Sequence, residues 1–178
     1  MKFILLHLYY FLKTFKKYGI TTPLRITHFL AQITTETGNF KWLVELGNKA
    51  YFNKYDIKYN PKKAKELGNI YKGDGYKYRA RGFMHLTGRA NYQAYKNYSK
   101  IDVVTNPDLA ARIDIALDIA GWYWQKNNIN VLADKDDVVA VTKKVNGGTN
   151  ALTERKAYLG YYKLQKLTLE FLESKHAA

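Results

Sequence analysis

The chain has 178 residues, 47% apolar and 15% aromatic, which is too many for a disordered chain and enough for one domain with a substantial core. It has no cysteine, which excludes disulfides, thiolate metal sites and a cysteine nucleophile. Its 29 Lys and Arg against 15 Asp and Glu give a formal net charge of +14, favouring an anionic partner such as nucleic acid, an acidic membrane surface or an acidic cell-wall polymer. The lysines are spread along the chain, so a diffuse positive field is expected rather than a dedicated binding arm.

The start, MKFILLHLYYFLKTFKKYG, resembles a secretion signal, with Lys2 before an apolar run from Phe3 to Leu12. No small-x-small cleavage site follows, and Lys13, Lys16 and Lys17 come next. The run is also too short to span a bilayer. Ile4, Leu8, Phe11 and Phe15 recur at helical spacing and Gly19 is a natural stop, so the spacing predicts an amphipathic first helix.

The next stretch, PLRITHFLAQITTETGNFKWLVE, organises the rest. Ile26, Phe29, Leu30 and Ile33 mark one helix face, Thr22 suits the N-cap, Pro23 the first helical position, and Gly38 the residue past the end. Continuing that face lands on Glu36, a carboxylate in the last turn. Desolvation and the negative end of the helix dipole both favour its protonated form, which is what a general acid needs. Glu45 follows nine positions on, beyond the Gly38-Asn39 break, and need not share that helix. Two carboxylates in unlike settings suggest hydrolysis of a glycosidic bond. The plainer alternative is a Glu paired with an arginine, and Arg25, Arg79, Arg81 and Arg155 are available.

Further on, Asn60-Pro61 opens a short helix ending at Gly68, and Gly73-Asp74-Gly75 marks a tight turn. Gly82 to Tyr92 leads into another helical pattern. Asn106-Pro107-Asp108 predicts a helix start, with Leu109, Ile113, Ala116, Leu117 and Ala120 on one face and an end near Trp122 to Gln125. A shorter helix is predicted from Asp136 to Val145, stopping at Gly147-Gly148. Asn150 opens the last one, with Leu152, Leu159, Tyr162 and Leu169 among charged neighbours. Strand signals are sparse, at most a small hairpin between Tyr71 and Met84. The prediction is a mainly α chain forming a single domain over residues 1–178.

Several segments line up, in order, with one family. AQITTETGNF resembles the A-Q-x-x-H-E-[ST]-G-G-F segment of glycoside hydrolase family 19, the plant-type chitinases and related phage endolysins. YRARGFMHLTGRANY resembles its Y-x-G-R-G-x-I-Q-L-T-G-R-x-N-Y segment, and VNGGTNALTER its later N-G-G segment leading to an Arg. The short spacing from Glu36 to Glu45 resembles the phage-endolysin branch. The resemblance implies a lysozyme-like fold, bilobed around a cleft, and an inverting hydrolase that needs no cofactor. It implies Glu36 as general acid, Glu45 as general base and Thr87 as the hydroxyl that helps hold the attacking water. His85, Asn91, Asn146 and Arg155 fall at polar positions that line the sugar cleft or support the acid. Inversion implies carboxylates about 6.5–9.5 Å apart with water between them. Four residues depart from the pattern: Thr35 for His, Asn39 for Gly, Ala80 for Gly and His85 for Gln.

Taken alone, Thr87 is an ordinary turn hydroxyl, Asn146 a helix-end residue, and Trp122, Tyr123 and Trp124 core residues or sugar-stacking ones. The four histidines, His7, His28, His85 and His176, have no carboxylates at metal-ligand spacing, so no metal site is expected. The expected partner is a polysaccharide: peptidoglycan first, given the positive charge, with chitin as runner-up. An anionic cell-wall surface is expected to attract the protein, which is expected to be a monomer without a stable membrane span. With no clear export signal, it is expected to stay in the cytoplasm until released to the wall, or to leave by a route its sequence does not show. The alternative from another class is a basic nucleic-acid-binding helical module, carried by the charge and the Tyr/Lys/Arg-rich Ile70 to Arg81 stretch. No helix-turn-helix, zinc-finger or single-strand-binding signature accompanies it.

Overall fold

The computed structural model describes residues 7–176, with side chains described to residue 166. Ile4 of the first predicted stripe and the Leu169 side chain lie outside the described residues. The chain is mainly α and divides into two compact units, one of Met1–Phe40 with Tyr123–Ala178, the other of Lys41–Trp122. Among the described residues, β structure is confined to isolated antiparallel bridges joining Val44 to Arg81 and Arg81 to Leu86, and no helix is long and apolar enough to cross a membrane.

The first unit is built on α1 (Leu8–Lys17), α2 (Pro23–Glu36), α7 (Ile129–Asp134), α8 (Val138–Asn146) and α9 (Leu152–His176), with the end of α6 (Ile113–Lys126). Phe11 and Thr14 of α1 are buried, and Lys16 and Lys17 stand in its last turn beside the helix's negative end. Its aromatic core runs Phe11, Phe15, Phe29, Trp124, each ring meeting the next edge-on, with centroids 5.9, 5.7 and 5.2 Å apart. The Trp124 indole N–H donates to Asn130 Oδ1 at 2.8 Å, and the Asn130 amide donates to the carbonyls of Tyr18 and Gly19. That one amide ties the α1–α2 turn to α7 and leaves no buried polar atom of Trp124 unmatched. α2 packs most extensively against α9.

The second unit carries α3 (Pro61–Glu66), α4 (Asp74–Lys77), α5 (Arg89–Ser99), 3₁₀ turns at Tyr51–Tyr55 and Pro107–Ala111, and the first part of α6. Asn60 caps α3 as expected, accepting the Lys63 N–H at 3.1 Å. Its core is aromatic too: Tyr78, Tyr92, Tyr95, Phe52 and Phe83 are almost wholly buried. Trp122 packs against Tyr95 at 5.5 Å and Trp124 is fully buried, so both tryptophans are core. Buried Asp74 accepts from Arg89 Nε and Nη2 at 2.7 and 2.6 Å and from the N–H groups of Ile70 and Tyr71. These contacts hold its pKa down against burial, which pushes the other way. Gly88 must be glycine: its φ is 87°, and a Cβ there would lie 2.5 Å from the Leu67 carbonyl oxygen.

The helix predicted from Asn106 is two elements. Pro107–Ala111 is a 3₁₀ turn, Arg112 is extended (ψ 136°), and α6 begins at Ile113. Asn106 makes no side-chain cap there. α8 starts two residues later than predicted because Asp137, not Asp136, is its cap, accepting the Ala140 N–H at 2.9 Å.

Candidate active site

Glu36 is the last residue of α2. The helix opens where Thr22 Oγ1 accepts the Arg25 N–H at 3.3 Å and Pro23 takes the first position. It closes with the Thr37 N–H returning to Ile33 O, followed by Gly38 and Asn39 in left-handed conformations, at φ 56° and 63°. Asn39 therefore adopts the geometry the matching glycine would supply.

Arg155 of α9 is 2% exposed and makes three contacts. Nη2 donates to Glu36 Oε1 at 2.5 Å, Nη1 donates to Gln32 Oε1, and Nε donates to Asn150 O at 3.3 Å. Gln32 lies one turn before Glu36, is fully buried, and donates to Thr142 Oγ1 of α8 at 3.4 Å. The Asn146 amide donates to the same Asn150 carbonyl at 3.1 Å. One guanidinium thus joins α2, α9 and the loop after α8. Tyr123 is a further neighbour: its hydroxyl donates to Lys144 O at 2.7 Å. Burial raises its pKa, and the charge of Glu36 raises it further.

Glu45 is framed differently. The Val44–Arg81 bridge aligns its strand-like segment, with Gly82 N donating to Leu43 O at 2.8 Å and Glu45 N to Ala80 O at 2.9 Å. Its Oε1 accepts Lys54 Nζ at 3.1 Å and the Tyr55 hydroxyl at 3.2 Å, and its Oε2 accepts the Ala80 N–H at 3.4 Å. Burial and the charge of Glu45 push the Tyr55 pKa up. Burial opposes the charge on Lys54, but its contacts with Tyr51, Glu45 and Tyr55 outweigh it and raise its pKa. Ala80 serves through its backbone, and its φ is not positive, so alanine is tolerated where the pattern has glycine.

The unlike settings expected of the two carboxylates do not show in burial: the two side chains are 17% and 18% exposed. Glu36 sits at the open end of its helix and keeps some water, while Arg155 supplies charge that the apolar-face reading left out. What differs is the partner, a buried guanidinium for Glu36 and a 37%-exposed ammonium for Glu45.

The other expected residues lie in the second unit. Thr87 donates its hydroxyl to His85 O at 2.7 Å, the Asn91 amide donates to Thr87 O at 2.8 Å, and His85 takes a left-handed backbone, φ 48°. Together they form a polar turn leading into α5. Thr35, where the pattern has His, turns back to Ala31 O at 3.1 Å. Among the described residues, no three His, Cys, Asp or Glu side chains gather as a metal set.

No family model matches the chain. A glycosyl hydrolase family 19 domain-containing protein from Haemophilus influenzae is 32% identical to it over 162 residues, covering 79% of each. The chain belongs to glycoside hydrolase family 19. An Arabidopsis thaliana endochitinase is 30% identical over 132 residues, 73% of this chain, which spans only 41% of that relative's length. In fold, this family 19 chain is similar to chitinase C of Streptomyces griseus, with a TM-score of 0.66 and 20% identity over 86% of this chain and 65% of that one. It is also similar to the class IV chitinase of Zea mays, with a TM-score of 0.65 and 23% identity over 88% of this chain and 79% of that one.

Gln32, Lys54 and Tyr55 were not singled out in the sequence. Gln32 had a signal, being four residues before Glu36 and so on the same helix face. Lys54 and Tyr55 had none, because a bridge between distant segments sets where Glu45 meets them.

Proposed function

We propose that this family 19 hydrolase cuts the β-1,4 glycan of bacterial peptidoglycan by inversion, in the manner of an endolysin. Glu36 protonates the glycosidic oxygen as the C1–O bond breaks, a water attacks C1 from the opposite face, and Glu45 takes the proton that water loses. Arg155 orients the Glu36 carboxyl and stabilises the carboxylate left after the proton has gone. Thr87 holds the water, and His85, Asn91 and Asn146 hold sugar. The carrying observation is that each of the two motif carboxylates is partly exposed and is held by a cation, Arg155 at Glu36 and Lys54 at Glu45. The charge of +14 supports an acidic glycan over a neutral one. Chitin is the second reading, favoured by the endochitinase among the relatives.

The test is incubation with purified peptidoglycan and with chitin oligomers, followed by mass analysis of the released ends and NMR of the first anomer formed. Faster release from peptidoglycan, with the α-anomer appearing first, is expected. Cleavage of chitin alone would overturn the substrate, and a β-anomer first would overturn the roles given to the two carboxylates.

A further inference from the structure

The second unit holds a cavity of about 420 Å³ that shares no lining residue with the Glu45 contacts. That volume lies within the range usual for small-molecule sites, about 300–1,000 Å³. Phe52, Tyr59 and Tyr76 give it aromatic walls, and Lys49 and Lys72 stand among its lining residues. Tyr76 is fixed by the Arg79 guanidinium 4.2 Å from its ring centroid, and Lys49 Nζ reaches to 5.7 Å from the same ring. Both lysines are exposed, and no carboxylate pairs with either among the described residues. The lining carboxylate, Asp56, is buried and committed: it accepts the N–H groups of Gly73 at 2.6 Å and Lys58 at 3.0 Å. The space is therefore aromatic in its walls and positive in its uncommitted charge.

We propose that this cavity is a subsite for a carboxylate-bearing sugar, an acidic N-acetylmuramyl unit of the wall glycan, and that it selects acidic over neutral glycan. The aromatic walls take the apolar C–H face of the ring, and Lys49 and Lys72 take the carboxylate. A chitin unit offers the same ring with no anion, so it fills the walls and leaves both ammonium groups to water. The proposal rests on the peptidoglycan reading above and names the part of that substrate the enzyme distinguishes.

Binding to the full chain is to be measured by calorimetry and NMR with N-acetylmuramic acid, muramyl dipeptide and chitobiose. The two acidic probes separate the lactyl carboxylate from that of the peptide. Wild type is expected to prefer an acidic probe over chitobiose about 3- to 10-fold, the scale of one or two partly exposed ion pairs. K49A/K72A should erase that preference and K49E/K72E should reverse it. Circular dichroism and the melting curve of K49A/K72A should match wild type, which reports an intact fold. Equal binding of all probes by wild type, or a preference that survives in K49A/K72A, would overturn the subsite. The binding arm needs no bond cleavage. Lysine-dependent preference without peptidoglycan cleavage would keep the subsite and sink the substrate reading, and peptidoglycan cleavage indifferent to both lysines would do the reverse.

Discussion

Glu36 and Glu45 are equally exposed and both touch a cation, yet they are held by different means. Glu36 is held by side chains: a buried guanidinium reaches from α9 and is itself fixed by Gln32 and the Asn150 carbonyl. Glu45 is held from both sides, by the main chain through its bridge to Ala80 and the Ala80 N–H, and by a part-exposed lysine and a phenol on its other oxygen. The first arrangement is built around one buried cation, so it should weaken strongly when that residue is changed. The second is spread over contacts that no single substitution removes.

The largest expected effect tests whether both carboxylates act on the bond at all. E36Q and E45Q should each lower turnover by about 10²–10⁴-fold, the usual range for a general acid or base, while circular dichroism shows the fold retained. Azide should restore activity to E45Q and not to E36Q. A fully active E36Q enzyme would remove the acid assignment, and rescue of both variants would erase the difference between the two roles. Next comes R155M. Taking one partner from a buried pair costs about 3–5 kcal/mol, and the partial exposure of Glu36 places the expected loss near the lower figure. Chemical denaturation should report that loss together with reduced turnover, and R155K should recover only part of it because it cannot reach Glu36 and Gln32 as a fork. Wild-type stability in R155M would mean that Arg155 is dispensable to the frame.

The same difference explains what the sequence made legible. α2 was readable end to end, because Thr22, Pro23 and Gly38 are local signals and local geometry obeyed them. The partner of Glu36 was not, since four arginines were candidates and the one that pairs with it is 119 residues away. Only the family resemblance singled out Arg155. The break at Arg112 was hidden because the apolar face of Leu109 to Ala120 continues through it, and periodicity does not register one extended residue. α7 was missed because it is six residues long with no side-chain cap, and burial of Ile129 and Ala133 holds it in place.

A pH-dependent effect is expected within the first unit. His28 is fully buried, with Nε2 at 2.8 Å from Asp136 Oδ1, and Lys163 pairs with the same carboxylate at 2.7 Å. Burial lowers the imidazole pKa, against the raising influence of Asp136. The unfolded chain therefore takes up this proton below about pH 6.5, while the folded chain resists until lower pH, so stability falls as pH drops through that window. Urea midpoints measured from pH 7.5 to 5 should fall for wild type and fall less steeply for H28Q. Parallel slopes would show that His28 does not set the acid limb.

The smallest expected effect separates the two carboxylates most directly. Lys54 Nζ lies 3.5 Å from the Tyr51 ring centroid and 3.1 Å from Glu45 Oε1, but its side chain is 37% exposed. Water and salt screen that pair, and methionine keeps most of the packed stem, so K54M should cost about 0.2–1 kcal/mol. The cost should shrink as salt rises from about 0.1 to 1 M, because the screening length falls from about 10 to 3 Å. Double-mutant cycles then set the two frames on one scale. Coupling between Glu36 and Arg155 should exceed that between Glu45 and Lys54 by several-fold, since one cation is buried in a fork and the other is partly exposed to water. Equal couplings would mean that the exposed lysine frames its carboxylate as firmly as the buried arginine does, and that the backbone contacts of Ala80 contribute less to holding Glu45 than their geometry implies.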